Sequence, residues 1–251
     1  MAGCQAGRRR PAPTEVDVMI IGSRYNGPPG SGNGGWSAGT FAVAAQNCSP
    51  LPVPGAPSAG PYRPDAEPVE VTLRRPPPLE TPLTLDAGEV RDPDGCLIAQ
   101  VTTVPAFDPV AKPVDLAAAR MAAASYPGLV DHPFPGCYVC GPEHADGLRI
   151  FPGPLPDSRM AAPFRVPEGA DVVTVWAALD CPGGWSVIAP GRPYLLGRMS
   201  AVVLAPPQPG DECVVTGVCA GVRGRKADVH SGLYAPDGSL LGYARATWIA
   251  G

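Results

Sequence analysis

Asp180 stands just before Cys181-Pro182-Gly183-Gly184-Trp185, and Asn33 just before Gly34-Gly35-Trp36. Both stretches read as a chain turning into a helix. Asp and Asn are good N-caps, and proline is tolerated in a first helical turn. The first N–H groups of a helix are unpaired and lie at the positive end of its dipole, so they can hold an oxygen that gains negative charge. Glycine has no Cβ and lets a substrate carbonyl approach that backbone. On this reading Gly35 and Gly184 supply N–H groups, and Asp180 positions or deprotonates a water. Asn33 caps its helix or hydrogen-bonds the substrate. A base works best near ambient pH, so burial would have to raise the Asp180 pKa against the pull of a helix start. The plainer alternative is that the glycines turn the chain and Asp180 is only a cap.

Other residues carry weaker signals. Arg223, Arg225 and Lys226 cluster between two expected strands. They could meet phosphates or form a solvated hairpin end. Cys137-x2-Cys140, with His132 and His144 nearby, offers zinc-ligand types, but the histidines fall outside the usual ligand order. Small buried thiols are the preferred reading, so no metal is assigned. Cys181 could be a nucleophile if His230 partnered it. The run from Gly30 to Gly35 matches Gly-x-Gly-x-x-Gly. The loop before it, residues 22–29, is long for a dinucleotide turn, and no strand ending in an acid follows.

The 251 residues allow one large domain or two ordinary ones, and 45% are hydrophobic. The net charge of −4 and scattered basic residues argue against a nucleic-acid surface. No apolar run reaches the ~18 residues that a membrane span needs. Residues 1–13 read as a frayed tail, since no apolar segment follows Arg8-Arg9-Arg10 as a secretory signal requires. The eight cysteines then read as free thiols in a cytoplasmic protein.

The elements that would position these residues come in two weak copies. Each holds Gly-Gly-Trp-Ser and, later, Pro-Asp-Gly: Gly34 to Pro93 is 59 residues, and Gly183 to Pro236 is 53. In each copy the Asp-Gly step predicts a hairpin. Copy one reads as a strand at 16–23, a helix at 34–46 and strands at 69–74, 83–90 and 96–104. Copy two reads as lead-in segments at 148–151 and 161–166, then a short helix starting near Pro182 and ending near Pro190. Strands follow at 195–204, 212–222, 226–234 and 240–249. The alanine-rich stretch 114–125 predicts a helix in the connection.

Three segments resemble a known family. Cys137-Tyr138-Val139-Cys140-Gly141, followed by Gly147-Leu148, is similar to a motif of hot-dog thioesterase-like proteins. The stretch from Trp176 to Trp185 resembles the start of their helix, and Arg223 through Trp248 their closing strands. Copy one is similar mainly through Asn33-Gly34-Gly35-Trp36. The resemblance implies an α+β double hot-dog: two antiparallel sheets, each wrapped around a central helix, pairing into one continuous sheet. The implied units are residues 14–106 and 132–251, with residues 107–131 as a linker. Many family members carry a carboxylate about two turns into the helix after Gly-Gly. The matching places here are near Ala42 and Gly191, and neither can act. Asp180 instead resembles an Asp that other double hot-dog thioesterases use at the start of the second helix.

The activity implied is acyl-CoA thioester hydrolysis at a helix start between the halves, with no cofactor. Trp36, Trp185, Arg223, Arg225 and Lys226 would contact substrate, although for the tryptophans core is the plainer reading. The alternative is a non-catalytic hot-dog protein that binds acyl-CoA or another hydrophobic ligand. A dehydratase is disfavoured, since no Asp-x4-His pattern accompanies the helices. The implied partner is a thioester, with no nucleic acid and no membrane; a homodimer is left open.

Overall fold

A computed structural model describes residues 18–47, 67–189 and 191–251. The expected tail, residues 1–13, and the expected helix end at Pro190 lie outside them. The first half contains β1 (Val18–Ile20), α1 (Gly34–Asn47), β2 (Val69–Leu73), β3 (Pro82–Asp86), β4 (Glu89–Arg91) and β5 (Leu97–Thr103). Next comes α2 (Leu116–Ala123), capped by Asp115, which accepts the Ala118 N–H at 2.7 Å. The second half contains β6 (Gly153–Pro154), β7 (Met160–Arg165), α3 (Val172–Gly184), β8 (Tyr194–Val203), β9 (Glu212–Arg223), β10 (Lys226–Tyr234) and β11 (Leu240–Ala250).

The strands form one eleven-stranded sheet in the order β1-β3-β4-β5-β2-β8-β11-β10-β9-β7-β6. Its centre is the antiparallel pair β2–β8, with Val71 opposite Met199. Both side chains are fully buried. The halves therefore join edge to edge, as expected, and each covers a strand edge of the other. The Pro-Asp-Gly turns occupy matching places, between β4 and β5 and between β10 and β11. Gly95 (φ 79°) and Gly238 (φ 84°) supply the left-handed residue in each.

One expected strand is corrected. The single strand over 83–90 is instead a hairpin of β3 and β4, turning at Ala87 (φ 46°) and Gly88 (φ 79°). Two left-handed centre residues make the turn that suits strand twist. Residues 148–151 form no strand of the sheet.

The larger correction concerns α3. It begins ten residues before Pro182 (182 − 172), which sits in its last turn. Its start is a capping box: Asp171 accepts the Thr174 N–H at 2.9 Å and donates its own N–H to the Thr174 hydroxyl at 3.2 Å. Every residue from Val173 to Gly184 is buried. A helix enclosed on all sides has no polar face, so the 3.6-residue pattern that would reveal it is missing. The two Gly-Gly-Trp copies are consequently not equivalent. Gly34-Gly35 open α1, whereas Gly183-Gly184 close α3 and Trp185 is its C-cap.

The two helices cross in contact, antiparallel. A Cβ on Gly35 would lie 2.4 Å from the Asp180 Cβ, and one on Gly39 would lie 2.7 Å from the Trp176 Cβ. Residues four apart share a helix face, so these glycines allow the approach. The start of α1 thereby meets the second half of α3.

Candidate active site

Asp180 projects from α3 at this crossing and is buried. Its Oδ2 accepts the Gly35 N–H at 2.9 Å and the Asn33 side-chain amide at 3.2 Å. Its Oδ1 is buried and accepts no hydrogen bond among the described residues. Asn33 caps α1, accepting the Trp36 N–H at 2.8 Å, while its amide also reaches Cys137 Sγ at 3.7 Å. One side chain thus caps α1 and orients the carboxylate of α3. Burial pushes the Asp180 carboxyl up to about 7, against the pull of the Gly35 and Asn33 donors; the Cys137 sulfur adds to the rise.

Asp180 is therefore not at the start of its own helix. It is deep in α3 and faces the start of the other helix. The expected oxyanion donor Gly35 is engaged by the carboxylate, while the preceding Gly34 N–H forms no hydrogen bond among the described residues. Gly184 belongs to a helix end, where carbonyls rather than N–H groups are unpaired. Its missing Cβ instead makes room for Trp248, whose ring would lie 2.5 Å away.

A cavity of about 330 Å³ opens here. Gly34, Asp180 and Cys181 line it together with apolar Trp185, Ile188 and Leu196. Arg74, Arg75 and Arg225 also line it. Arg225 is anchored to the Ala250 carbonyl at 3.0 and 2.7 Å, and Arg74 to Gln100 at 2.8 and 2.6 Å.

The other expected contact residues lie elsewhere. Arg223 is exposed and paired with Asp228 at 2.7 Å, and neither it nor Lys226 lines the cavity. Trp36 stacks on Tyr25 at 3.6 Å and packs edge-on against Tyr138, outside the cavity lining. Arg74 and Arg75 were not among the expected contacts. Two adjacent arginines leaving an apolar strand were the only signal for them.

The depth of Asp180 in α3 (180 − 172, eight residues) equals that of Ala42 in α1 (42 − 34, eight residues). Counted from the helix starts rather than from Gly-Gly, the place of a helix carboxylate is Ala42 in α1 and Asp180 in α3, while the expected Gly191 lies beyond the end of α3. The Gly30–Gly35 stretch is no dinucleotide turn, because β1 pairs antiparallel with β3; that fingerprint belongs to a parallel βαβ unit.

Three buried cysteines flank Asp180. The Sγ atoms of Cys137, Cys140 and Cys181 all lie within 4.8 Å of one another. Hydrogen bonds from the Cys140 and Cys181 thiols hold Cys137 well below the usual thiol range. Cys140 is pushed up chiefly by burial, and Cys181 chiefly by its bond to Cys137. No hydrogen bond joins His230 to Cys181 among the described residues, so the expected nucleophile partner is not in place.

Two helices, each wrapped by one half of a continuous antiparallel sheet, define a double hot-dog fold, and the buried Asp180 carboxylate at their crossing marks its candidate site. The same fold occurs in a candidate thioesterase from Novosphingobium aromaticivorans. That structure matches with a TM-score of 0.58 at 16% identity, over 92% of this chain and 94% of the other. A conserved hot-dog protein of unknown function from Alicyclobacillus acidocaldarius matches with a TM-score of 0.49 at 13% identity, over 93% and 92%. No protein-family model matches the chain, and no curated protein does.

Proposed function

We propose that this protein hydrolyses acyl-CoA thioesters in the cavity between its two halves. The observation that carries the reading is the Asp180 carboxylate, held through Oδ2 by the start of α1, with Oδ1 free of partners among the described residues. In this reaction Asp180 takes a proton from a water, and the water oxygen adds to the thioester carbonyl carbon. The carbonyl oxygen gains charge beside the start of α1, where the Gly34 N–H forms no hydrogen bond among the described residues. The C–S bond then breaks, and the proton held by Asp180 leaves with the thiolate. The acyl chain lies against Trp185, Ile188 and Leu196, and the CoA phosphates meet Arg74, Arg75 and Arg225.

A second reading is a protein that binds the thioester without cleaving it. It is favoured by the Gly35 N–H, which already serves Asp180 and is withdrawn from any oxyanion. The two readings separate in a free-thiol release assay over a panel of acyl-CoA chain lengths, with Asp180→Asn and Asp180→Ala alongside. Hydrolysis predicts a loss of about 10²–10⁴-fold in both variants, the usual contribution of a positioned acid–base group. Binding of a non-hydrolysable thioether analogue should persist in the asparagine variant. Tight binding with no turnover in the wild type would establish the second reading. Turnover unaffected by either substitution would remove Asp180 from the reaction.

A further inference from the structure

We infer that Cys137, Cys140 and Cys181 form a three-thiolate binding site for a zinc ion, with the fourth coordination position opening on the cavity beside Asp180. Two ligands were visible in the sequence; the third comes from α3, 41 residues further on (181 − 140), and only the fold brings it in. Tetrahedral zinc with Zn–S bonds of about 2.3 Å places its sulfurs about 3.8 Å apart. The three sulfurs already lie within 4.8 Å of one another and need only a small contraction. Cysteine sulfur is the ligand type that selects zinc over harder divalent ions.

The surroundings are built for thiolates. The turn carrying Cys137 and Cys140 is tight: the Gly141 N–H bonds the Cys137 carbonyl at 2.8 Å. A Cβ on Gly141 would lie 2.4 Å from the Cys137 nitrogen, so no other residue fits that turn undisturbed. Ring and amide N–H groups point at the sulfurs. The Trp185 indole donates to Cys140 at 3.4 Å, and the Asn33 amide to Cys137 at 3.7 Å. His132 Nε2 lies 3.3 Å from Cys140 Sγ. Its Nδ1 accepts the Phe134 N–H at 2.8 Å, which leaves the proton on Nε2. His132 is therefore a donor to a thiolate and not the fourth ligand. Such outer donors are what metal-bound thiolates attract.

Among the described residues the group whose ligand atoms all lie within 4.8 Å of one another is these three cysteines, and His132, 3.3 Å from Cys140 alone, serves as a donor. All three cysteines line the cavity with Asp180, whose Oδ1 is buried and has no partner among the described residues. Three protein ligands with a position left for water or substrate is the arrangement of catalytic rather than structural zinc. This assignment does not depend on the thioester reading.

The test uses the full chain, purified under reducing conditions and without any thioester. Zinc is titrated against a chromophoric chelator, and cobalt(II) is titrated separately. One equivalent of zinc should be retained, and cobalt should give the intense near-ultraviolet sulfur-to-metal absorption of several thiolates with tetrahedral visible bands. Cys137→Ser and Cys181→Ser should each lower affinity at least 100-fold. Cys213→Ser, buried outside the cluster, should leave it unchanged. The cobalt spectrum is read on the wild type and so does not need the variants to fold. Its absence, a disulfide among the three cysteines that persists in reductant, or equal zinc uptake by the folded serine variants would overturn the site. Zinc binding without thioester turnover would leave this inference intact and refute only the proposed hydrolysis.

Discussion

The Gly35 N–H donates to Asp180 Oδ2 at 2.9 Å across the crossing of α1 and α3. A methyl group on Gly35 would stand 2.4 Å from the Asp180 Cβ. The contact that orients the carboxylate is thus the contact that brings the helices together. Gly35→Ala should force them apart, at a cost of about 1–3 kcal/mol for an overpacked core, and should abolish thiol release. Gly39→Ala meets Trp176 instead and should cost similar stability with a smaller loss of activity. Urea midpoints and turnover, measured side by side, decide this; equal activity losses at the two positions would break the link to Asp180.

Asn33 combines two roles that substitution can separate. Asn33→Ala removes the cap of α1, which is worth about 1 kcal/mol, and also removes a donor to Asp180. Asn33→Ser keeps a good cap but loses the amide. The serine variant should match the wild type in thermal midpoint within a few degrees while its turnover falls with that of the alanine variant. Full activity in the serine variant would show that the amide is dispensable.

The cavity arginines predict where the nucleotide end of a substrate lies. Arg75→Ala and Arg225→Ala should each raise KM for an acyl-CoA about tenfold, the size of one lost charged hydrogen bond. KM for a short thioester without phosphates should not change. Arg223→Ala, whose guanidinium pairs with Asp228 away from the cavity, should leave both constants alone. An effect confined to Arg223 would put the phosphates on the β9–β10 turn instead.

Gly184 tests the position of the second Gly-Gly pair. An added Cβ meets the Trp248 ring at 2.5 Å. Gly184→Ala should therefore lower stability by about 1–3 kcal/mol while the folded fraction keeps its kcat. A collapse of kcat at unchanged stability would mean that this backbone takes part in the reaction after all.

Much of the frame was legible in the residues themselves. Strands β9, β10 and β11 alternate or run apolar between turn signals, and both Asp-Gly turns announce their hairpins because glycine alone takes that φ freely. The start of α1 was legible from Asn33 as a cap. Helix α3 was misplaced for a physical reason. A helix buried on every side shows no polar stripe, so Pro182 and Asp180 resembled a beginning. The available clue was Asp171 with Thr174, a local pair that a capping box uses.

By itself, then, the chain determined that two related units with antiparallel strands and one central helix each would form, because turn chemistry and strand periodicity are local. It also supplied Asp180, Asn33 and the glycines as types. What Asp180 faces was settled only by the antiparallel crossing of α1 and α3. The same packing placed Cys181 against Cys137 and Cys140, and set Arg74 and Arg75 near Arg225. Those relations join residues far apart in the chain, and they arise from burying both helices under one sheet, which no local spacing encodes.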